Sequence, residues 1–314
     1  MKPIITLTLN PTIDGSASAD VIQPLRKIRT SDERYHPGGG GINVARVIKE
    51  LGGKTCALYL AGGATGAILD DLLHTTGIET RRIPIKGYTR IAHTVFERSS
   101  GQEFRFVPEG PEVSAEEWAS CLSVLETSDF DYVVASGSLP RGLPPSAYSH
   151  VVDIAARKGA KFILDTSGSA LRTTLDKGVF LIKPNLRELE ELAGRALPDT
   201  KAQTLAARTL IAAKATQIVA LTLGNDGALL VSKDEAWRAY VPPIVARSAV
   251  GAGDSFVGGV ALALAQGKPL RAVLASGVAA GTAAVLSPGA ELSLAHDVHR
   301  LYAELFPEII RIEL

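Results

Sequence analysis

Between residues 114 and 222, short apolar segments alternate with longer helix-like ones, and this rhythm most constrains what the chain can become. The strand candidates at residues 132–135, 161–164, 180–182 and 217–222 are short and mostly apolar, as strands buried on both faces are. Parallel strands need a crossover, and the intervening helices supply it. The N-terminal part begins in the same way. A strand at residues 4–9 ends at Asn10-Pro11, and a helix runs through Ile42, Val44, Ala45, Val47, Ile48 and Leu51. A strand at 55–60 and a helix at 64–76 follow. A hairpin is expected over 227–241, and three helical segments close the chain. The class is α/β, a doubly wound parallel sheet flanked by helices.

Two β-prone stretches break the rhythm, at about residues 12–36 and 79–107. They are expected to come together as a small sheet over one edge of a single domain spanning residues 1–314. Ligands of open α/β sheets bind at the carboxyl ends of the strands, so a sheet placed there would act as a lid.

Composition removes several classes of function. With 33 basic and 33 acidic residues the formal net charge is zero, which leaves no electrostatic footprint for nucleic acid or an anionic membrane. Two cysteines, Cys56 and Cys121, do not make a disulfide framework. His296 and His299 share a helical spacing that fits a solvated helix better than a metal site. The N-terminus lacks the apolar core of a signal peptide, and no apolar run reaches membrane-spanning length. A soluble cytoplasmic protein is expected.

Four constellations fall where strands give way to helices. In Gly251-Ala252-Gly253-Asp254 small residues precede an acid that opens an apolar helix. The exposed N–H groups of a helix start attract anions, so Asp254 is either a helix cap or a base held beside a bound phosphate. Gly38-Gly39-Gly40-Gly41 precedes Asn43, and this run is either a hinge or a close backbone approach to something polar. Asp14, in Asn10-Pro11-Thr12-Ile13-Asp14, is a turn residue or an acceptor for polyol hydroxyls. Asn185 and Glu188, three residues apart at a helix start, form either a capping box or a Mg²⁺ site that leaves most coordination to water. A P-loop is excluded, because Gly53-Lys54-Thr55 would require glycine where Ile48 stands.

In this order the motifs, with Ser136-Gly137-Ser138-Leu139-Pro140, Lys183-Pro184-Asn185-Leu186-Arg187-Glu188 and Thr222-Leu223-Gly224, resemble those of the phosphofructokinase B (ribokinase-like) family of carbohydrate kinases. The resemblance covers essentially the whole chain. It implies that Asp254 deprotonates an acceptor hydroxyl for attack on the ATP γ-phosphate, while N–H groups of Gly251, Ala252 and Gly253 stabilise the developing charge. It implies sugar contacts from Asp14, Gly39, Asn43 and Ser138. Nucleotide contacts fall to Lys183, Asn185, Thr222 and Gly224, with Lys27 reaching in from the first insert. Asn185, Glu188 and Asp165 would hold Mg²⁺, the first two through water. ATP is the implied co-substrate, K⁺ an additional cation, and a homodimer paired through the lid sheet the implied assembly.

Arg29 and Lys27 in the first insert, and Arg90 and Arg105 in the second, suit a phosphate monoester, which arginine binds through paired charge-assisted hydrogen bonds. Otherwise they are solvated lid charges. Gly40 stands where the related 1-phosphofructokinases and tagatose-6-phosphate kinases carry lysine. The run around it is most similar to the 6-phosphofructokinase branch, which implies fructose 6-phosphate as acceptor. Tagatose 6-phosphate, fructose 1-phosphate or an unphosphorylated sugar are the alternatives, as is a non-catalytic sugar-phosphate sensor. Ala249 replaces a hydroxyl residue usual in the family, withdrawing one contact to nucleotide or cation.

Overall fold

The structure, a computed structural model, describes residues 2–242, 244, 248, 250–287 and 292–313. Ala249 lies outside the described residues. In chain order the elements are β1 (Ile4–Thr8), β2 (Thr12–Ala19), β3 (Ser31–Gly38), α1 (Gly40–Glu50), β4 (Thr55–Gly62), α2 (Gly63–His74), β5 (Glu79–Ile85), β6 (Arg90–Glu97) and β7 (Gln102–Phe106). There follow α3 (Ala115–Thr127), β8 (Tyr132–Ser136), α4 (Ala147–Arg157), β9 (Lys161–Asp165), α5 (Gly168–Leu175), β10 (Val179–Ile182), α6 (Leu186–Ala193), α7 (Thr200–Ala212) and β11 (Thr216–Thr222). The chain ends through β12 (Ala228–Val231), β13 (Ala236–Ala239), α8 (Ala252–Ala265), α9 (Leu270–Leu286), α10 (Ala295–Glu308) and β14 (Ile310–Ile312).

The strands form two sheets. The larger runs β14-β13-β12-β11-β10-β9-β8-β1-β4-β5, parallel from β11 to β5 and antiparallel at the β12–β14 edge. Its central strands are apolar on both faces because each face meets helices. Val133, Leu164, Ile182 and Val219 point into one core cluster with Trp118, Val151, Leu171 and Leu189 of the α3–α6 side. Their neighbours Val134, Ile163, Leu181 and Ile218 point into the other, with Val47, Phe256, Val273 and Leu301 of α1, α8, α9 and α10. Burying side chains of this size contributes roughly 1.5–3 kcal/mol each. This is the ribokinase-like arrangement expected from the sequence. Among the described residues no helix is long and apolar enough to cross a membrane.

The smaller sheet has the order β3-β2-β6-β7. Its boundary on the C-terminal side differs from expectation. Residues 79–85 form β5, the parallel edge strand of the main sheet beside β4, so the second insert contributes only β6 and β7. The alternation in β5 comes from a half-covered edge: Ile83 and Ile85 are buried in the main core while Pro84, between them, is exposed on the other face. One strand escaped the sequence reading altogether. Three residues, Ile310–Ile312, are too few to show a period, yet they pair with β13 and extend the antiparallel edge.

Helix α8 is seated by two glycines. A Cβ on Gly259 would strike the Ser276 carbonyl oxygen of α9, and one on Gly258 would lie 2.8 Å from the Val47 side chain of α1. Both neighbours are packed and cannot yield. Gly259→Ala is expected to destabilise the protein by about 1–3 kcal/mol, the usual cost of overpacking, read as a lower Tm.

Candidate active site

The strand ends of the main sheet and the starts of α1 and α8 converge on Asp254. The N-cap of α8 is Gly251, at φ 74 and without a side-chain cap bond, so Asp254 does not cap its helix. Glycine accepts that left-handed conformation freely. The Asp254 carboxylate turns to neighbouring elements instead. Its Oδ2 accepts from Asn43 Nδ2 at 3.0 Å, and its Oδ1 accepts from Ser136 Oγ at 3.0 Å. The same Ser136 hydroxyl lies 3.1 Å from Asp165 Oδ2, and Asp165 Oδ1 is 3.1 Å from Lys183 Nζ.

Three carboxylates therefore answer to one ammonium. Burial, reinforced by the Asp165 charge, pushes Asp254 up to about 7, against the downward pull of Asn43, Ser136 and Lys183. Burial also raises Glu188, outweighing the Asn185 N–H and Lys183. For Lys183 burial acts downward, but Asp165 above all, with Glu188 and Asp254, outweighs it and holds the ammonium above its ordinary range.

Asn185 and Glu188 form the capping box: Glu188 N donates to Asn185 Oδ1 at 2.9 Å, and Asn185 N donates to Glu188 Oε2 at 2.8 Å. Among the described residues no three His, Cys, Asp or Glu side chains form a ready-made metal cage. The donor set nonetheless fits Mg²⁺: hard oxygens, a surplus of negative charge, and few protein ligands.

The glycine run is a close approach, and the polar groups it approaches are the protein's own. A Cβ on Gly41 would lie 2.5 Å from the Leu7 carbonyl oxygen, and one on Gly40 would run into Ser136 Oγ. Gly39, the N-cap of α1, sits at φ 106 against Thr8 and Pro11. This packing brings Asn43 to Asp254.

Two cavities flank the Gly251–Asp254 turn. A mainly apolar cleft is lined by Asn185, Thr222, Gly224, Ala252, Gly253 and Phe256, closed further by Val278, Gly281 and Thr282 of α9. The α9 residues were not expected, because their small, apolar character gives no polar signal. A second, narrow cavity is lined by Asp14, Ser16, Thr94 and Arg105, and reaches Val250, the residue before the turn. Asp14 is raised by burial against the opposing charges of Arg105, Arg90 and Arg46. Arg46, three residues beyond Asn43 on α1, closes the same run of sequence but was given no role there. Arg90 Nη1 donates to Pro108 O at 2.9 Å and Nη2 to Asn10 O at 2.8 Å, while its buried Nε has no partner among the described residues. Ser138 is exposed, and its Oγ accepts from Asn10 Nδ2 at 3.3 Å. Lys27 and Arg29 are not brought in. Both lie exposed on the connection between β2 and β3 and line neither cavity.

Comparison with known proteins places the chain in a family. Residues 8–297 match the model of the pfkB family of carbohydrate kinases, and the chain belongs to that family. An ATP-dependent 6-phosphofructokinase isozyme 2 of Mycobacterium tuberculosis is 42% identical, covering 96% of this chain and 89% of that protein. The Escherichia coli protein of the same name is 37% identical over 97% of this chain and 99% of its own. The crystal structure of Escherichia coli phosphofructokinase-2 in complex with fructose-6-phosphate superposes with a TM-score of 0.92, at 36% identity, covering 97% of this chain and 99% of that one.

The raised pKa has a consequence for stability. Folded Asp254 titrates near 7 and the unfolded residue near 3.8, so ionising it penalises the folded state. That penalty is complete above pH 7 and vanishes as pH falls towards 3.8. Asp254→Asn removes it. The variant should melt above the wild type at about pH 8, with the gain shrinking as pH falls below about 7.

Proposed function

We propose that the protein is an ATP-dependent 6-phosphofructokinase, phosphorylating the C1 hydroxyl of fructose 6-phosphate to give fructose 1,6-bisphosphate. The observation that carries this is the Gly251–Asp254 turn lining an apolar cleft, with a cavity bordered by Arg105 reaching the preceding Val250. Adenine suits the cleft, whose Phe256, Val278 and Val285 offer apolar contact. Asn185, Thr222 and Gly224 lie along the path of the ribose and phosphates.

The sugar sits on the other side, with Asp14, Gly39, Asn43 and Ser138 meeting its hydroxyls. Arg105 meets its phosphate, with the Arg90 guanidinium beside Asn10 adding positive charge. Asp254, ionised at neutral pH in part, takes the C1 hydroxyl proton as that oxygen bonds to the γ-phosphorus. The bond from the γ-phosphorus to the β-phosphate oxygen breaks, ADP departs, and the proton on Asp254 returns to solvent. The N–H groups of residues 251–253 and the Lys183 ammonium offset the developing charge. Asn185, Glu188 and Asp165 would hold Mg²⁺, which neutralises phosphate charge when bound; a K⁺ requirement fits the same reading.

The small sheet acts as a lid that excludes water from the sugar. Its face opposite Asp14 carries Tyr35, Phe104 and Phe106 around Gly15, with Tyr35 and Phe106 exposed, which suits pairing with the lid of a second copy. Lys27 and Arg29 extend from this sheet, and their part in binding belongs to the closed or paired state. A cytoplasmic setting supplies both substrates.

ADP release measured over fructose 6-phosphate, tagatose 6-phosphate, fructose 1-phosphate, fructose and ribose tests the assignment. Preference for fructose 6-phosphate is expected, preference for another phosphosugar would reassign the acceptor, and silence throughout would leave a sensor. Arg105→Ala should raise the phosphosugar KM at least about tenfold with kcat little changed, because a hydrogen bond to a charged group is worth roughly 1.5–3 kcal/mol. An unaltered KM would make Arg105 a lid charge.

A further inference from the structure

We propose that Ser136 is a positioning residue of the catalytic apparatus: its hydroxyl ties Asp254 to the Asp165–Lys183 pair and aims the carboxylate at the acceptor hydroxyl. The inference rests on the reading of Asp254 as the base. Ser136 ends β8 with 2% of its surface exposed, and both carboxylates lie within hydrogen-bond distance of its Oγ, Asp254 at 3.0 Å and Asp165 at 3.1 Å. Among the described residues its side chain has no other hydrogen-bond partner, so this is not a serine satisfying the backbone of its own strand.

A hydroxyl carries one proton and cannot donate to two carboxylates at once. Lys183 decides between them. Its ammonium, 3.1 Å from Asp165 Oδ1, already neutralises Asp165, which leaves the Ser136 proton to the uncompensated Asp254. Asn43 Nδ2 holds the second Asp254 oxygen at 3.0 Å, so the carboxylate is gripped at both ends. The torsion that sets a carboxylate plane is otherwise broad, and two donors from different elements fix it. Once Asp254 has taken the substrate proton, Ser136 can turn its own proton to Asp165 Oδ2. No atom is consumed, and the hydroxyl returns when Asp254 deprotonates. Gly40 belongs to the same device, since any side chain there would collide with Ser136 Oγ.

Kinetics of Ser136→Ala and Asp254→Asn, measured side by side, test the assignment. Ser136→Ala is expected to lower kcat about 10- to 100-fold, the loss typical of one hydrogen bond to an ionised group. Both KM values should stay within about twofold, as for an interaction used in the chemical step. The acid limb of the kcat/KM profile should also move to higher pH, because the Ser136 bond holds the Asp254 pKa down. The charged groups facing Asp254 are Asp165 at the end of β9 and Lys183 after β10, and both remain in the variant. Ser136→Cys, which keeps a weak donor, should recover part of the lost kcat; it also serves if the alanine variant does not fold. Wild-type kcat and an unmoved acid limb in Ser136→Ala would overturn the proposal. So would a loss of kcat with parallel rises in KM and an unmoved limb, which marks a merely structural role. If Asp254→Asn retained turnover, the base assignment itself would fall. An inactive Asp254→Asn beside a wild-type-like Ser136→Ala would remove only the role of Ser136.

Discussion

The ion pair between Lys183 and Asp165 is the interaction on which the rest of the site depends. It joins the ends of two neighbouring parallel strands, β9 and β10, and its side chains are only 9% and 16% exposed. An ammonium so enclosed would be costly without a partner, and Asp165 supplies one at 3.1 Å. Because this cation is committed to Asp165, little of its charge serves Asp254 and Glu188. Burial raises the pKa of both, and the downward pull of Lys183 does not offset it. The arrangement is incomplete as a set of charges, and the proposed function makes use of that: Asp254 lies near neutrality, where a base is most effective, and the negative charge that remains would attract a divalent cation.

Such a cluster forms because the fold brings strand ends and helix starts to one edge. Ser136, Asp165, Lys183 and Thr222 end or follow β8, β9, β10 and β11, which lie side by side. Parallel strands present their carboxyl ends together, so residues scattered over a long stretch of sequence meet without any local signal linking them. Helices α1 and α8 then approach with their N-terminal turns, one carrying Asn43 and the other Asp254. Gly41, Gly258 and Gly259 permit that closeness, each facing backbone or a packed side chain that a Cβ would strike.

The architecture was largely legible in the sequence, because apolar strands and glycine-marked helix starts arise from burial and packing, which act locally. The central strands and α1, α2 and α8 fall where periodicity places them. Strand β5 was misassigned to the insert because edge strands and hairpin strands share an alternating pattern, and only pairing distinguishes them. Asp254, Asn185 and Glu188 stood out through spacing. Ser136 did not: a serine at a strand end is unremarkable until two carboxylates are found around it. Arg46 was hidden likewise, since its relation to Asp14 crosses from a helix to a different sheet. Phe256 and Thr282 read as ordinary helix residues, and only the packing of α8 on α9 turns them towards the apolar cleft beside the Gly251–Asp254 turn.

The glycine run before α1 shows why motif and mechanism need separate arguments. As sequence, four glycines and an asparagine suggest a surface shaped for a polar ligand. As structure, Gly40 and Gly41 make room for Ser136 and for the carbonyl of Leu7, and the consequence is that α1 lies low against β1 and β8. Only from that depth does Asn43 reach Asp254. A side chain at Gly40 would therefore displace Ser136 before it met any ligand. On the proposed function, acceptor choice and orientation of the base would be coupled through one helix start, since the Asn43 that would meet the sugar also holds Asp254.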